Sequence, residues 1–349
     1  MLLCLPAFAD TFEVTLKTKS NLPRANTVVT FKQISNEVAF GLGPSVFVNP
    51  TGTSYLDNFD LAVIPFYWAY VEPEKGKFNL AQQRIIVDWC KNNRKKTRGH
   101  PVIYDLVYPS WKTGKVTLED EISLVQNIMH AFPDVDMWDL VNEPIHMGTP
   151  AKEIYLFAKS YSNYLQINEY GVLPYDSIGF KEYLTKFQNY DSIGLQCHIP
   201  ANEKWNIERV VAQVKSYQEL GKPVHITEIS IATQPEAGIS LWDEASQAEY
   251  LVQLYKALFD AKVASITYWN LFDGDPWRPS IGLIRENGTP KPAWAAVNEF
   301  IQSVRTVKTT KTNSRGVARF EGYPGTYAVI TSNQIRGYIT LKDKATVVY

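Results

Sequence analysis

Apolar and polar positions follow two different regimes along the chain. Between about residues 38 and 270, eight short apolar runs appear in order, at 38–43, 61–65, 101–105, 137–141, 164–168, 192–197, 223–227 and 265–269. Runs of this length read as strands. Segments of helical period separate most of them. Residues 81–92 place apolar side chains at 85, 86, 89 and 90, and 245–260 set Tyr250, Leu251, Leu254 and Leu258 on one stripe. Eight alternating β and α units over roughly 265 residues predict a (β/α)8 TIM barrel in the α/β class. A doubly wound open sheet has no support, because no Gly-rich phosphate loop follows the first strand.

The two ends behave differently. Residues 11–36 and 306–349 alternate with period two and lack helical segments, as in Phe12-Val14-Leu16 and 317–320. Turn chemistry punctuates the second stretch at 313–316 and in Gly322-Tyr-Pro-Gly325. Neither stretch could bury much alone, so they are expected to pair into a small accessory β-sandwich. The expected organisation is 10–36 and 304–349 for the sandwich and 37–303 for the barrel.

Composition narrows the picture. The chain has 349 residues, 45% of them apolar, enough for one large core and a small appendage. No apolar stretch approaches the ~18–20 residues that cross a bilayer. A net charge of −1 argues against nucleic acid as a partner. The 9 Trp and 20 Tyr fit a cleft that stacks sugars, although ordinary core packing uses aromatics as well. Residues 1–9, MLLCLPAFA, end in Ala-Phe-Ala before Asp10 and resemble the last part of a secretory leader without its positive start. Secretion is therefore expected, and Leu3 makes Cys4 a poor lipid-anchor site. Cys90 and Cys197 then remain, a pair that neither demands nor excludes a disulfide. The C-terminal segment carries eight Lys/Arg against Glu321 and Asp343, which reads as a solvated basic face.

Candidate chemistry sits in two strings, Trp-Asp-Leu-Val-Asn-Glu-Pro at 138–144 and His-Ile-Thr-Glu-Ile-Ser at 225–230. Each is an apolar run leading to a glutamate, Glu143 or Glu228. Barrel enzymes build their sites at the C-terminal ends of strands, and these glutamates end the fourth and seventh strands. Glycosidic cleavage needs a proton for the leaving oxygen and negative charge behind the anomeric carbon, which two carboxyl groups supply. Asn142 can donate to a sugar hydroxyl. A lone glutamate after a strand is commonly a cap or an ion-pair partner; two at matching strand ends point to catalysis.

These strings resemble those of glycoside hydrolase family 10, mainly retaining endo-β-1,4-xylanases. WDLVNEP is similar to the family's acid/base motif, and Thr227-Glu228-Ile229-Ser230 to its nucleophile motif Thr-Glu-Leu-Asp. Further matches follow in order: EPEKGKFN at 72–79, RGH at 98–100, INEY at 167–170, IGLQCH at 193–198, Trp269 and Trp277 around FDGDPW, and ENGTPKPAW at 286–294. The terminal β-segments are similar to those of plant and animal members. The resemblance implies Glu143 as general acid/base, Glu228 as nucleophile, Asn142 at the sugar 2-hydroxyl and His198 hydrogen-bonded to the nucleophile. It implies Gln196 on the same wall, Trp269 and Trp277 as platform and lid, and His100, Trp68 and Asp105 as further substrate contacts. His225, three residues before Glu228, is left out because strand alternation sends it to the other face.

The implied activity is a retaining endo-β-1,4-xylanase on plant cell-wall xylan, with Glu228 ionised and Glu143 protonated at rest. A monomer is expected, with a polysaccharide substrate, no cofactor or catalytic metal, and no membrane or nucleic-acid partner. One departure opens alternatives. Where the family carries Glu-Asn-Glu-Met-Lys-Trp to grip the sugar, residues 63–68 read Val-Ile-Pro-Phe-Tyr-Trp, with Phe66 or Tyr67 placed to stack instead. A glycosidase for another β-1,4-glycan or conjugate, or a non-catalytic carbohydrate-binding barrel, are the competing readings.

Overall fold

A computed structural model describes all residues except 1–9, 48–51, 149–150, 163, 187–188, 235–237, 276 and 343. The leader-like segment 1–9 thus lies outside the described residues. Strands β1 (Asp10–Lys17) and β2 (Val28–Asn36) open the chain. Next come β3 (Ala39–Leu42), β4 (Leu61–Pro65), β5 (Lys96–His100), β6 (Met137–Asn142) and β7 (Leu165–Glu169). Strands β8 (Ser192–Ile199), β9 (Val224–Ile231) and β10 (Ser265–Tyr268) follow. The last five are β11 (Val307–Lys311), β12 (Val317–Gly322), β13 (Gly325–Thr331), β14 (Gln334–Leu341) and β15 (Lys344–Val348).

The chain divides into two compact units, Phe40–Ala295 and a second made of both termini, Met1–Ala39 with Ala296–Tyr349. In the terminal unit, β12-β1-β15 form one sheet and β11-β2-β13-β14 another. The period-two pattern becomes a core here: Phe12, Val14 and Leu16 of β1 meet Val29 and Phe31 of β2, and Phe31 stacks on Phe320 at 4.4 Å.

The larger unit is the barrel. Strands β3 to β10 close in sequence order, with parallel pairing throughout, and β10 returns to β3. All six residues of β6 and all eight of β9 are buried, so these strands face core on both sides and show no alternation. Helices Ala81–Asn92, Leu118–Ala131, Ile207–Gln218 and Glu244–Asp260 surround them. Two begin with reciprocal caps, Thr117 with Asp120 and Asp243 with Ser246, which satisfy N–H groups the first turn leaves free. No described helix is long and apolar enough to cross a membrane. Cys90 and Cys197 are buried, unpaired thiols, each pushed up to about 12 by burial.

The third barrel strand is Lys96–His100, ahead of the apolar run at 101–105. It escapes a hydrophobicity reading because its buried residues are polar. Arg98 Nε and His100 Nδ1 lie 3.1 and 2.8 Å from Asp139 of β6, and Arg98 Nη2 donates to the Thr227 carbonyl at 2.8 Å; these partners offset the cost of burial. Between them, Gly99 leaves room for the Trp138 ring, which a Cβ would strike. Strands β6 and β9 each carry a β-bulge shortly before their glutamates, between Asp139 and Val141 and between Ile226 and Glu228. Such an extra residue re-aims the side chains that follow it.

Candidate active site

A cleft of about 1110 Å³ opens at the C-terminal ends of the barrel strands, lined by Glu143, Glu228, Asn142, Gln196, His198, His100, Trp269 and Trp277 among others. Eight of the ten expected site residues are thereby brought together. Glu143 follows β6 with φ 55° and ψ 49°, a left-handed conformation that costs a non-glycine residue about 1–2 kcal/mol. Its N–H bonds the Asn168 carbonyl at 2.8 Å, which helps hold that geometry. Backbone strain of this kind concentrates at functional sites.

The two carboxyl groups have contrasting surroundings. Glu143 accepts from Gln196 Nε2 at 3.0 Å and Asn142 Nδ2 at 3.1 Å on Oε1, and from the Tyr104 hydroxyl at 3.2 Å on Oε2. Burial, reinforced by the charge of Glu228, still holds its pKa above the ordinary carboxyl value despite the Gln196 and Tyr104 bonds. Glu228 is buried as well, and burial alone would raise it. Hydrogen bonding to His198 and the charges of His100, His198 and Arg98 outweigh that and hold it below the ordinary value. Its Oε1 accepts from Asn168 Nδ2 at 2.7 Å and its Oε2 lies 3.1 Å from His198 Nε2.

Two amide side chains link the pair. Asn168 Nδ2 also donates to Asn142 Oδ1 at 2.8 Å, so a chain of hydrogen bonds runs from Glu143 through Asn142 and Asn168 to Glu228. The Thr227 hydroxyl fixes Asn168 from behind at 2.6 Å. Gly194 leaves space for both. His100 is oriented by Asp139 and sits 4.0 Å from Glu228 Oε1, with Trp269 edge-on to its ring at 4.8 Å. Trp277 projects from the cleft rim, half exposed, with its ring edge-on to His198.

Trp68 and Asp105, expected as substrate contacts, are not among the residues that line the cleft. The Trp68 indole is buried, donates to Glu72 at 2.6 Å and packs on Trp111, so it braces the segment after β4. Asp105 lies beside Glu121 of helix Leu118–Ala131; burial, helped by that negative charge, pushes Glu121 up to about 7. The cleft position belongs to its neighbour Tyr104. Phe66 is also turned away, packed on Trp138 and Phe132, whereas Tyr67 lines the cleft. His225 stays out, bound to Ser265 and Tyr164 at 2.8 and 3.0 Å. The bulge breaks the alternation that excluded it; its place near the start of β9 keeps it from the cleft.

Asn168 and Tyr104 were missed. A signal for the first was available, since Val-Asn-Glu at the end of β6 is echoed by Ile-Asn-Glu at the end of β7, with Asn142 and Asn168 in register. The glutamate of that echo is structural: Glu169 is fully buried and bonds the Ile145 N–H and the His146 ring.

A closed parallel barrel bearing two carboxyl groups in one open cleft, in contrasting protonation environments, defines a glycoside hydrolase. The sequence profile of glycosyl hydrolase family 10 matches residues 66–300, and the chain belongs to that family. It is 26% identical over 264 residues to endo-1,4-beta-xylanase B of Cellvibrio japonicus, covering 67% of this chain and 41% of that protein. An endo-1,4-beta-xylanase of Agaricus bisporus is 23% identical over 274 residues, covering 69% and 80%. The crystal structure of xylanase 10B from Thermotoga petrophila RKU-1 in complex with xylobiose superposes with a TM-score of 0.63 at 20% identity, over 76% of this chain and 94% of that one.

Proposed function

We propose that the chain is a retaining endo-β-1,4-xylanase acting on plant cell-wall xylan, with Glu228 as nucleophile and Glu143 as general acid/base. The observation that carries the reading is two glutamates lining one cleft, Glu143 held by Gln196 and Tyr104 and Glu228 by His198 and Asn168, surroundings that displace the first pKa upward and the second downward. A proton donor must hold its proton near working pH and a nucleophile must have lost its own. Attack by the Glu228 carboxylate on the anomeric carbon forms a glycosyl ester while Glu143 passes its proton to the leaving oxygen. Glu143, now ionised, takes a proton from water, and the resulting attack releases the sugar with retained configuration. The xylanase names of the relatives support the substrate class.

One observation favours a second substrate reading. The wall after β4 and β5 presents Tyr67, Tyr70, Tyr104, Leu106 and Val107, phenols and aliphatic carbon in keeping with the departure from the family's charged grip at residues 63–68. Such a wall suits a glycan or conjugate bound mainly by stacking. Two measurements decide. A 2-fluoro-xyloside should label the peptide carrying Glu228, and label on any other peptide refutes the assignment. Initial rates on xylan, mixed-linkage glucan and aryl cellobiosides should favour xylan; a preference for the others transfers the activity to the second reading. We propose secretion as well, from the leader-like residues 1–9, testable by fractionating an expressing culture.

A further inference from the structure

Strands β4 and β8 stand four places apart in either direction round the barrel, so the loops that follow them face each other across its mouth. Both loops line the cleft, with Tyr67 and Tyr70 after β4 and with Pro200 and Trp205 after β8. A line joining these two walls passes between the carboxyl groups. Glu143 follows β6 on one arc of the barrel, and Glu228 lies on β9 on the other. A long chain lying in the cleft along that line meets aromatic rings on both sides of the bond to be broken.

Trp205 is seated outboard, over the ring of helices. Its carbonyl accepts from the Tyr250 hydroxyl of helix Glu244–Asp260 at 2.9 Å, and the next residue, Asn206, caps helix Ile207–Gln218 by accepting from the Arg209 N–H at 3.0 Å. The loop before it is pinned as well: Trp242 Nε1 donates to the Glu203 carbonyl at 2.8 Å, and the Leu241 N–H to the Ala201 carbonyl at 2.7 Å. Trp205 Nε1 donates to Glu203 Oε2 at 2.6 Å. That is the indole's one polar group, so what the half-buried ring offers the cleft is apolar carbon. A ring already fixed in place loses little freedom when a ligand packs on it. We propose that Trp205 is a specificity-determining residue: its indole is a stacking platform for a sugar ring of the polysaccharide beyond those that flank the cleaved bond. A long substrate reaches both the carboxyl groups and this indole; a short one reaches the carboxyl groups alone. The inference rests on the cleft being a polysaccharide site, the reading proposed above.

The test compares a long and a short substrate, xylohexaose and an aryl xyloside, on the full chain. Trp205→Ala should lower the ratio of kcat/KM on xylohexaose to kcat/KM on the aryl xyloside about tenfold, the worth of one aromatic stacking contact. Because a ratio is read, any loss of folded protein cancels. Trp205→Phe, which keeps a flat aromatic face, should recover most of the ratio. Should Trp205→Ala fail to fold, Trp205→Leu, apolar but without a flat face, takes its place with the same expectation. An unchanged ratio in the alanine or leucine variant, or a ratio in Trp205→Phe as low as theirs, overturns the proposal. If wild-type protein hydrolyses neither substrate, the proposed function fails, and affinity electrophoresis in soluble xylan judges Trp205. Retardation of wild type that Trp205→Ala loses supports the platform, and equal migration of the two overturns it.

Discussion

Replacing Gly194 with alanine tests how closely the barrel is fitted around its nucleophile. Gly194 lies on β8 between Asn168 of β7 and His225 of β9. A Cβ at this position would stand 2.8 Å from both Asn168 Oδ1 and Thr227 Cγ2, and 3.2 Å from the Ile167 carbonyl. Ordinary contacts begin near about 3.5 Å, so each side chain must retreat by roughly 0.7 Å. Both are fully buried, and the Asn168–Thr227 bond of 2.6 Å leaves them little slack. Overpacking of this kind costs about 1–3 kcal/mol. Displacing Asn168 also weakens its bond to Glu228, a contact to a charged group worth about 1.5–3 kcal/mol. Urea unfolding of Gly194→Ala should therefore show a loss of about 2–4 kcal/mol. The kcat/KM on an aryl xyloside should fall about tenfold or more. A variant within about 0.5 kcal/mol of wild type, the range of an innocuous surface change, would refute the reasoning.

Two further changes should move opposite limbs of the pH–rate profile. The Tyr104 hydroxyl bonds Glu143 and lowers its pKa, so Tyr104→Phe should let Glu143 keep its proton to higher pH and carry the alkaline limb upward. An unmoved alkaline limb would remove Glu143 as the group that must be protonated. Asn168→Asp takes a donor from Glu228 and sets a like charge beside it, which should raise the nucleophile's pKa and carry the acid limb to higher pH. A profile matching wild type on the acid side would show that Glu228 does not titrate there.

Much of the architecture was legible in the chain because burial on both faces turns barrel strands into short apolar runs. The strand at Lys96–His100 was not, since Arg98 and His100 are made compatible with burial by partners on other strands, Asp139 and the Thr227 carbonyl. Motif strings located both glutamates, because a carboxylate at a strand end projects into whatever the barrel mouth encloses. They could not separate Asp105 from Tyr104, or Phe66 from Tyr67, where one step along the chain exchanges cleft for core.

Residue order by itself determined the eightfold β/α repeat, the terminal β-segments and the presence of two glutamates at strand ends. The expectation of an ionised Glu228 and a protonated Glu143 comes with the family resemblance, because both are the same side chain with the same intrinsic acidity and residue order alone does not distinguish them. Only the tertiary structure distinguishes them: His198, His100, Arg98 and Asn168 outweigh the burial of Glu228, whereas burial and the charge of Glu228 outweigh Gln196, Tyr104 and His100 at Glu143. Side chains from β5, β7 and β8 converge on one carboxylate because the barrel closes. An open chain carries the same residues far apart, where solvent screens them from one another.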